Sequence, residues 1–131
     1  MSVNWNVSEY WVDGGCKGNQ AHGERQAYGS ISDGTSAEQV QFADAYTNNE
    51  AEYLALSLLL GNLISNRSDP AKPVTRIYTD SQLLVGQLTQ GWKVEAENLV
   101  ALHNETALQL RKTRAKLVWV PRKQIVKRLG H

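Results

Sequence analysis

Apolar residues come in short bursts over the first third of the chain and at helical spacing after it. Val7–Val12 carries aromatic and β-branched residues and reads as a strand that delivers Asp13, with Gly14, Gly15, Gly18, Asn19 and Gly23 forming a loop behind it. Gln26–Ser32 and Gln39–Ala45 read as two more strands, joined by the turn residues Asp33-Gly34-Thr35, so the first three strands form an antiparallel meander. The period then changes. Ala51, Leu54, Ala55, Leu58 and Leu59 predict a helix over Asn48–Ile64, with Thr47 or Asn48 as its N-cap and Glu50 at its positive end. Ser65–Pro73 is a loop, Val74–Thr79 a strand and Ser81–Gln90 a short helix. Gly91-Trp92-Lys93-Val94 interrupts the pattern before a longer helix over Ala96–Lys112, a strand over Lys116–Val120 stopped by Pro121, and a last helical stretch over Gln124–Leu129. The order βββαβααβα implies an α/β fold, a mixed sheet with helices on its faces.

Length adds that residues 1–131 make a single domain large enough to bury a core. With 41% hydrophobic and 21% charged residues the composition is that of an ordinary globular protein. No apolar run approaches the ~20 residues of a membrane span, so no membrane partner is expected. The first residues, Met1-Ser2-Val3-Asn4-Trp5-Asn6, lack the basic and apolar regions of a signal peptide, and the single Cys suits a reducing compartment, so a cytoplasmic protein is expected. A monomer is also expected, though no feature of the sequence fixes the assembly. Net charge is only +1, yet from Arg111 onward the chain carries eight Lys or Arg and no acid. That segment is either a phosphate-facing surface or a solvated helix face.

The candidate chemistry lies in three acids on three segments. Asp13 follows Tyr10-Trp11-Val12, Glu52 sits in Thr47-Asn48-Asn49-Glu50-Ala51-Glu52-Tyr53, and Asp80 follows Ile77-Tyr78-Thr79. Strand ends and a helix start are able to bring carboxylates to one point. Carboxylates so gathered repel unless a cation neutralises them, and hard oxygen donors suit Mg²⁺ or Mn²⁺. That is the outline of a metal-dependent phosphoryl-transfer site. Glu50, two residues from Glu52, points to a different helix face and is not expected to share its metal.

The same segments, in this order, resemble the type 1 ribonuclease H family, which cuts the RNA strand of RNA–DNA hybrids. The resemblance rests on Val12-Asp13-Gly14-Gly15 with Gly18-Asn19, on Thr47-Asn48-Asn49-Glu50-Ala51-Glu52-Tyr53, and on Tyr78-Thr79-Asp80-Ser81-Gln82. Gly91-Trp92-Lys93-Val94 and Trp119-Val120-Pro121-Arg122-Lys123-Gln124 extend it over nearly the whole chain, without the basic protrusion some members insert before the long helix. It implies a ribonuclease H-like fold, a five-stranded mixed sheet flanked by helices, and an endonuclease acting on an RNA–DNA hybrid. Asp13, Glu52 and Asp80 match the family's first three metal-binding carboxylates, where two Mg²⁺ or Mn²⁺ ions are expected with substrate bound. Gly14, Cys16, Asn19, Asn48, Asn49 and Gln82 match positions lining the hybrid's minor groove, and Trp92 and Lys93 match contacts to the DNA strand.

One position departs from the family. Its fourth carboxylate belongs in the first turn of the last helix, but Pro121–His131 contains no acid. Four readings stay open: His131 as a metal ligand, the terminal carboxylate as the missing acid, His131 as a proton shuttle, or an incomplete site. A functional His131 is favoured and is counted among the catalytic residues. The competing functions are a catalytically impaired nucleic-acid-binding module of the same fold, or a nuclease of this fold acting on another nucleic acid such as a branched DNA junction. His22 and His103 read as loop polarity and helix surface.

Overall fold

In a computed structural model of the chain, residues 2–17, 26–67, 73–74 and 76–130 are described. Their elements are β1 (Glu9–Lys17), β2 (Gln26–Ser32), β3 (Ala37–Gln41), α1 (Asn48–Asn66), β4 (Arg76–Thr79), α2 (Gln82–Thr89), α3 (Glu97–Thr113), β5 (Lys116–Trp119) and α4 (Arg122–Leu129). The sheet is five-stranded and mixed, in the order β3-β2-β1-β4-β5. β1, β2 and β3 pair antiparallel, while β4 runs parallel to β1 and β5 parallel to β4. This is the α/β architecture expected from the order of elements, with crossover helices supplying the parallel connections.

Alternation along the strands divides the core in two. Tyr10 and Val12 of β1, Ile77 of β4 and Leu117 of β5 join a large buried cluster with Leu56, Leu59 and Leu60 of α1 and Leu99 and Leu110 of α3. Their neighbours Trp11, Tyr78 and Val118 point the other way, onto a small cluster of Val120, Ile125 and Leu129. Side chains two apart share a sheet face, so α1 and α3 cover one face and α4 the other.

Most boundaries shift by one or two residues from the sequence reading, and three shifts have a clear physical cause. β1 does not stop at Val12 but continues through the expected glycine loop to Lys17, because Asp13, Gly14, Gly15 and Cys16 each pair with a residue of β2. β3 spans Ala37–Gln41 rather than Gln39–Ala45. The Asp33 turn closes tightly, with Asp33 N–H donating to the Ser36 carbonyl, so pairing resumes at once with Ala37 opposite Ser32. α4 starts at Arg122, immediately after Pro121, two residues earlier than its apolar periodicity suggested. The expected cap at Thr47 forms, and a second one forms at Ser81. Thr47 and Glu50 make a reciprocal capping box at the start of α1, and the Ser81 hydroxyl accepts from Leu84 N–H at the start of α2.

Candidate active site

Register brings two of the three acids together. β1 and β4 pair in parallel up to Trp11 opposite Tyr78. Asp13 and Asp80 each lie two residues beyond that pair, so they emerge side by side on the face that α4 covers. Asp13 is buried, its side chain only 3% exposed, and Asp80 is largely buried.

Glu52 arrives from the other layer, on the second turn of α1. What permits this is Gly14. A Cβ built there would lie 2.3 Å from the Ala51 carbonyl oxygen and 2.7 Å from Glu52 N, so the helix backbone rests directly on the strand. Burial pushes the Glu52 carboxyl up to about 7, with the charges of Asp80 and Asp13 acting in the same direction and the Ser81 hydroxyl and Arg122 opposing. One of its oxygens, Oε2, is buried without a hydrogen-bond partner among the described residues. A polar atom of that kind is costly to bury unless something binds it.

The residue that meets the two aspartates is Arg122, the first of α4. Its Nη1 lies 3.0 Å from Asp13 Oδ2 and 3.0 Å from Asp80 Oδ2. Hydrogen bonds to Asp80 and then to Asp13 hold its guanidinium firmly protonated. Tyr28, across from Gly15 on β2, lies within hydrogen-bonding reach of both Asp13 and Arg122. Its hydroxyl is raised above the ordinary phenol range, first by burial and then by the Asp13 charge. Gly15 makes space for that ring, since a Cβ there would fall 2.9 Å from the Tyr28 hydroxyl.

Among the described residues, no three His, Cys, Asp or Glu side chains are arranged to hold a metal ion. The donor set nonetheless fits one in kind. Asp13 and Asp80 offer hard oxygen side by side, their charges act on Glu52, and Glu52 Oε2 has no partner among the described residues.

The expected binding residues are spread around this point. Gly14 is buried, and the Cys16 thiol, facing the end of the β3–α1 connection, donates to the Tyr46 carbonyl at 3.0 Å. Asn48, Asn49, Gln82 and Lys93 are exposed. Trp92 is not a core residue. Its indole, 48% exposed, rests on Gly86, and together with Gln82, Val85, Gln90 and Trp119 it lines a cavity of about 240 Å³. Trp119, 41% exposed, donates from its indole N–H to the Asp80 carbonyl. Asn19, His22 and His131 lie outside the described residues. Glu50 is committed to the Thr47 cap, as its helix position suggested. His103 is not simple helix surface: its Nε2 lies 3.0 Å from the Gln87 carbonyl, tying α3 to α2.

Sequence reasoning missed Tyr28 and the inward role of Arg122, which it counted among the basic residues of the last segment. The one available signal for Arg122 was its place in the helical turn where an acid was expected. Tyr28 gave none, because an aromatic residue in a strand is ordinary.

Comparison with known proteins bears on the same segments. The family model described as RNase H matches residues 6–125. RNase H1 from the halophilic archaeon Halobacterium salinarum superposes with a TM-score of 0.73 at 23% identity, over 93% of this chain and 90% of that one. LC11-RNase H1, isolated from compost by a metagenomic approach, gives a TM-score of 0.75 at 24% identity, over 94% and 90%. The same enzyme in complex with an RNA/DNA hybrid gives 0.71 at 23% identity, over 92% and 89%.

Proposed function

The chain belongs to the RNase H family, and from that premise we propose that it is an endonuclease hydrolysing the RNA strand of RNA–DNA hybrids with Mg²⁺ or Mn²⁺. The observation that carries this reading is the emergence of Asp13 and Asp80 side by side from adjacent parallel strands, near enough to Glu52 of the opposite layer for their charges to raise it, while Glu52 Oε2 is buried without a partner among the described residues. Carboxylates gathered this way oppose folding unless a cation is intended for them.

In this reading Asp13, Glu52 and Asp80 hold the divalent ions, two with substrate bound. Such ions supply an activated water and neutralise charge on the phosphate. The chain's own residues do the rest. Ser81 and Tyr28 orient the Glu52 and Asp13 carboxylates through their hydroxyls. Gly14 keeps strand and helix close enough for acids from both layers to act together. Exposed Asn48, Asn49 and Gln82 are suited to the 2′-hydroxyls and base edges that distinguish an RNA-containing minor groove. Trp92 and Lys93 offer a stacking surface and a phosphate partner for the DNA strand. His131 is assigned as the fourth active-site group.

Labelled hybrid, duplex RNA and duplex DNA, each incubated with Mg²⁺ or Mn²⁺, test the substrate. Only the RNA of the hybrid is expected to be cut, and cleavage by Asp80→Asn at the wild-type rate refutes the assignment of the site. Asn49→Ala and Gln82→Ala are each expected to weaken hybrid binding by about 1 kcal/mol, the worth of one hydrogen bond. One observation favours a second reading, a binding module that does not cleave. The first turn of α4 presents an arginine to the aspartates and no acid. Tight hybrid binding with no cleavage under either metal selects it.

A further inference from the structure

A single guanidinium nitrogen bridges two carboxylates from different strands. Arg122 Nη1 stands 3.0 Å from Asp13 Oδ2 and 3.0 Å from Asp80 Oδ2, so one positive charge serves both carboxylates. Three further features give this contact a direction. Asp13 is buried and Asp80 nearly so, whereas the Arg122 side chain is 54% exposed and has open solvent to move into. α4 itself is anchored independently of the guanidinium, through buried Ile125 and Leu129. Finally, the charges of Asp13 and Asp80 raise the nearby Glu52 carboxyl while that of Arg122 lowers it, so the guanidinium opposes the repulsion among the three acids.

We propose that Arg122 is a resident counter-cation: it neutralises Asp13 and Asp80 in the metal-free protein and competes with the divalent ion for them. Metal binding then requires the guanidinium to leave, and affinity is set by the difference between two cations rather than by the carboxylates alone. This rests on the assignment of Asp13 and Asp80 as metal ligands made above. It adds that α4 supplies an opponent of the metal in place of a ligand. It also explains how a fold with these acids tolerates the absence of metal, since an unpaired buried carboxylate is strongly destabilising.

The test is calorimetric titration of the 131-residue protein with Mn²⁺, together with thermal melting in chelator. Arg122→Ala and Arg122→Gln are each expected to bind Mn²⁺ on the order of tenfold more tightly, the scale of one lost charge-assisted contact. Both are also expected to melt lower in chelator and to gain more stability from Mn²⁺ than the wild type. Equal or weaker Mn²⁺ binding by both variants overturns the proposal. Should neither variant fold, the wild type decides through the NMR signals of the Arg122 guanidinium, whose rotation is restricted while it is paired. Release of that restriction on adding Mg²⁺ supports displacement; a guanidinium that stays restricted with Mg²⁺ bound overturns it. Asp13→Asn separates the two levels. If wild type and Asp13→Asn bind Mn²⁺ alike, the ligand assignment itself falls. If only the wild type binds, and the Arg122 variants bind no more tightly, the assignment stands and the competition does not.

Discussion

Strand β1 has two faces with opposite demands. On one, Tyr10 and Val12 are buried among Leu56, Leu59 and Leu60 of α1, and every contact favours the folded state. On the other, Trp11 stacks on Tyr78 and lies under the Arg128 guanidinium, and then Asp13 meets Asp80 and Arg122. The first face contributes stability and has no chemistry. The second holds charge in a buried place and is covered by one short helix, whose Ile125 and Leu129 pack with Val120. Residues one apart in sequence therefore serve different ends, and mutations at neighbouring positions should divide cleanly between stability and activity.

The largest expected effect is on the charged face. Asp13→Asn should abolish hybrid cleavage while the protein still unfolds cooperatively, because the change keeps the side chain's volume and leaves the apolar face untouched. Appreciable loss of cooperativity in a melting curve breaks the division between faces. Leu59→Ala is its counterpart on the apolar face. Leu59 is fully buried, and its truncation should cost about 2–5 kcal/mol in denaturant unfolding, with cleavage by the remaining folded protein close to wild type. Gly14→Ala touches both faces. Its methyl would meet the Ala51 carbonyl, so α1 must withdraw. A loss of roughly 1–3 kcal/mol, typical of overpacking, should accompany a steep drop in cleavage as Glu52 moves with the helix. A loss of stability with cleavage intact would show that Glu52 does not depend on that close approach.

The smallest effect lies away from both faces, in the β2–β3 turn. Burial raises the Asp33 carboxyl, but N–H donors of Ser36, Asn4 and Thr35 outweigh it and hold the group below its ordinary 3.8. A carboxyl lowered in the folded state adds stability at pH above its unfolded value and loses it as pH falls through the folded one. Asp33→Asn should flatten the acid limb of the stability profile below about pH 4 and leave cleavage at neutral pH unchanged. An unchanged acid limb would show that these backbone donors bind the carboxylate no better than water does.

How much was legible in the sequence follows from the range of the forces involved. Helix α1 was readable because its apolar spacing and its Thr47–Glu50 cap are local, and the Asp33-Gly34-Thr35 turn for the same reason. The three acids were legible as residues near element ends. Their meeting was implied by the family resemblance rather than by periodicity. The end of β1 was misread because glycines ordinarily signal a loop. Here Gly14 and Gly15 remain in the strand, paired with β2 and crowded by α1 on one side and by Tyr28 on the other. No local rule reports a crowding partner that is tens of residues away.

The sequence by itself determined which segments alternate, which coil, where helices are capped, and that an acid is absent from the last helix. Those properties depend on neighbours within a turn or a strand. Only the tertiary structure decided that Asp13 and Asp80 emerge in register, that Glu52 reaches them past a glycine, and that Arg122 stands between the two aspartates. Pairing across 109 residues between Arg122 and Asp13 depends on β1, β4 and α4 being packed against one another. Before that packing, water screens the two charges and nothing favours their meeting over any other.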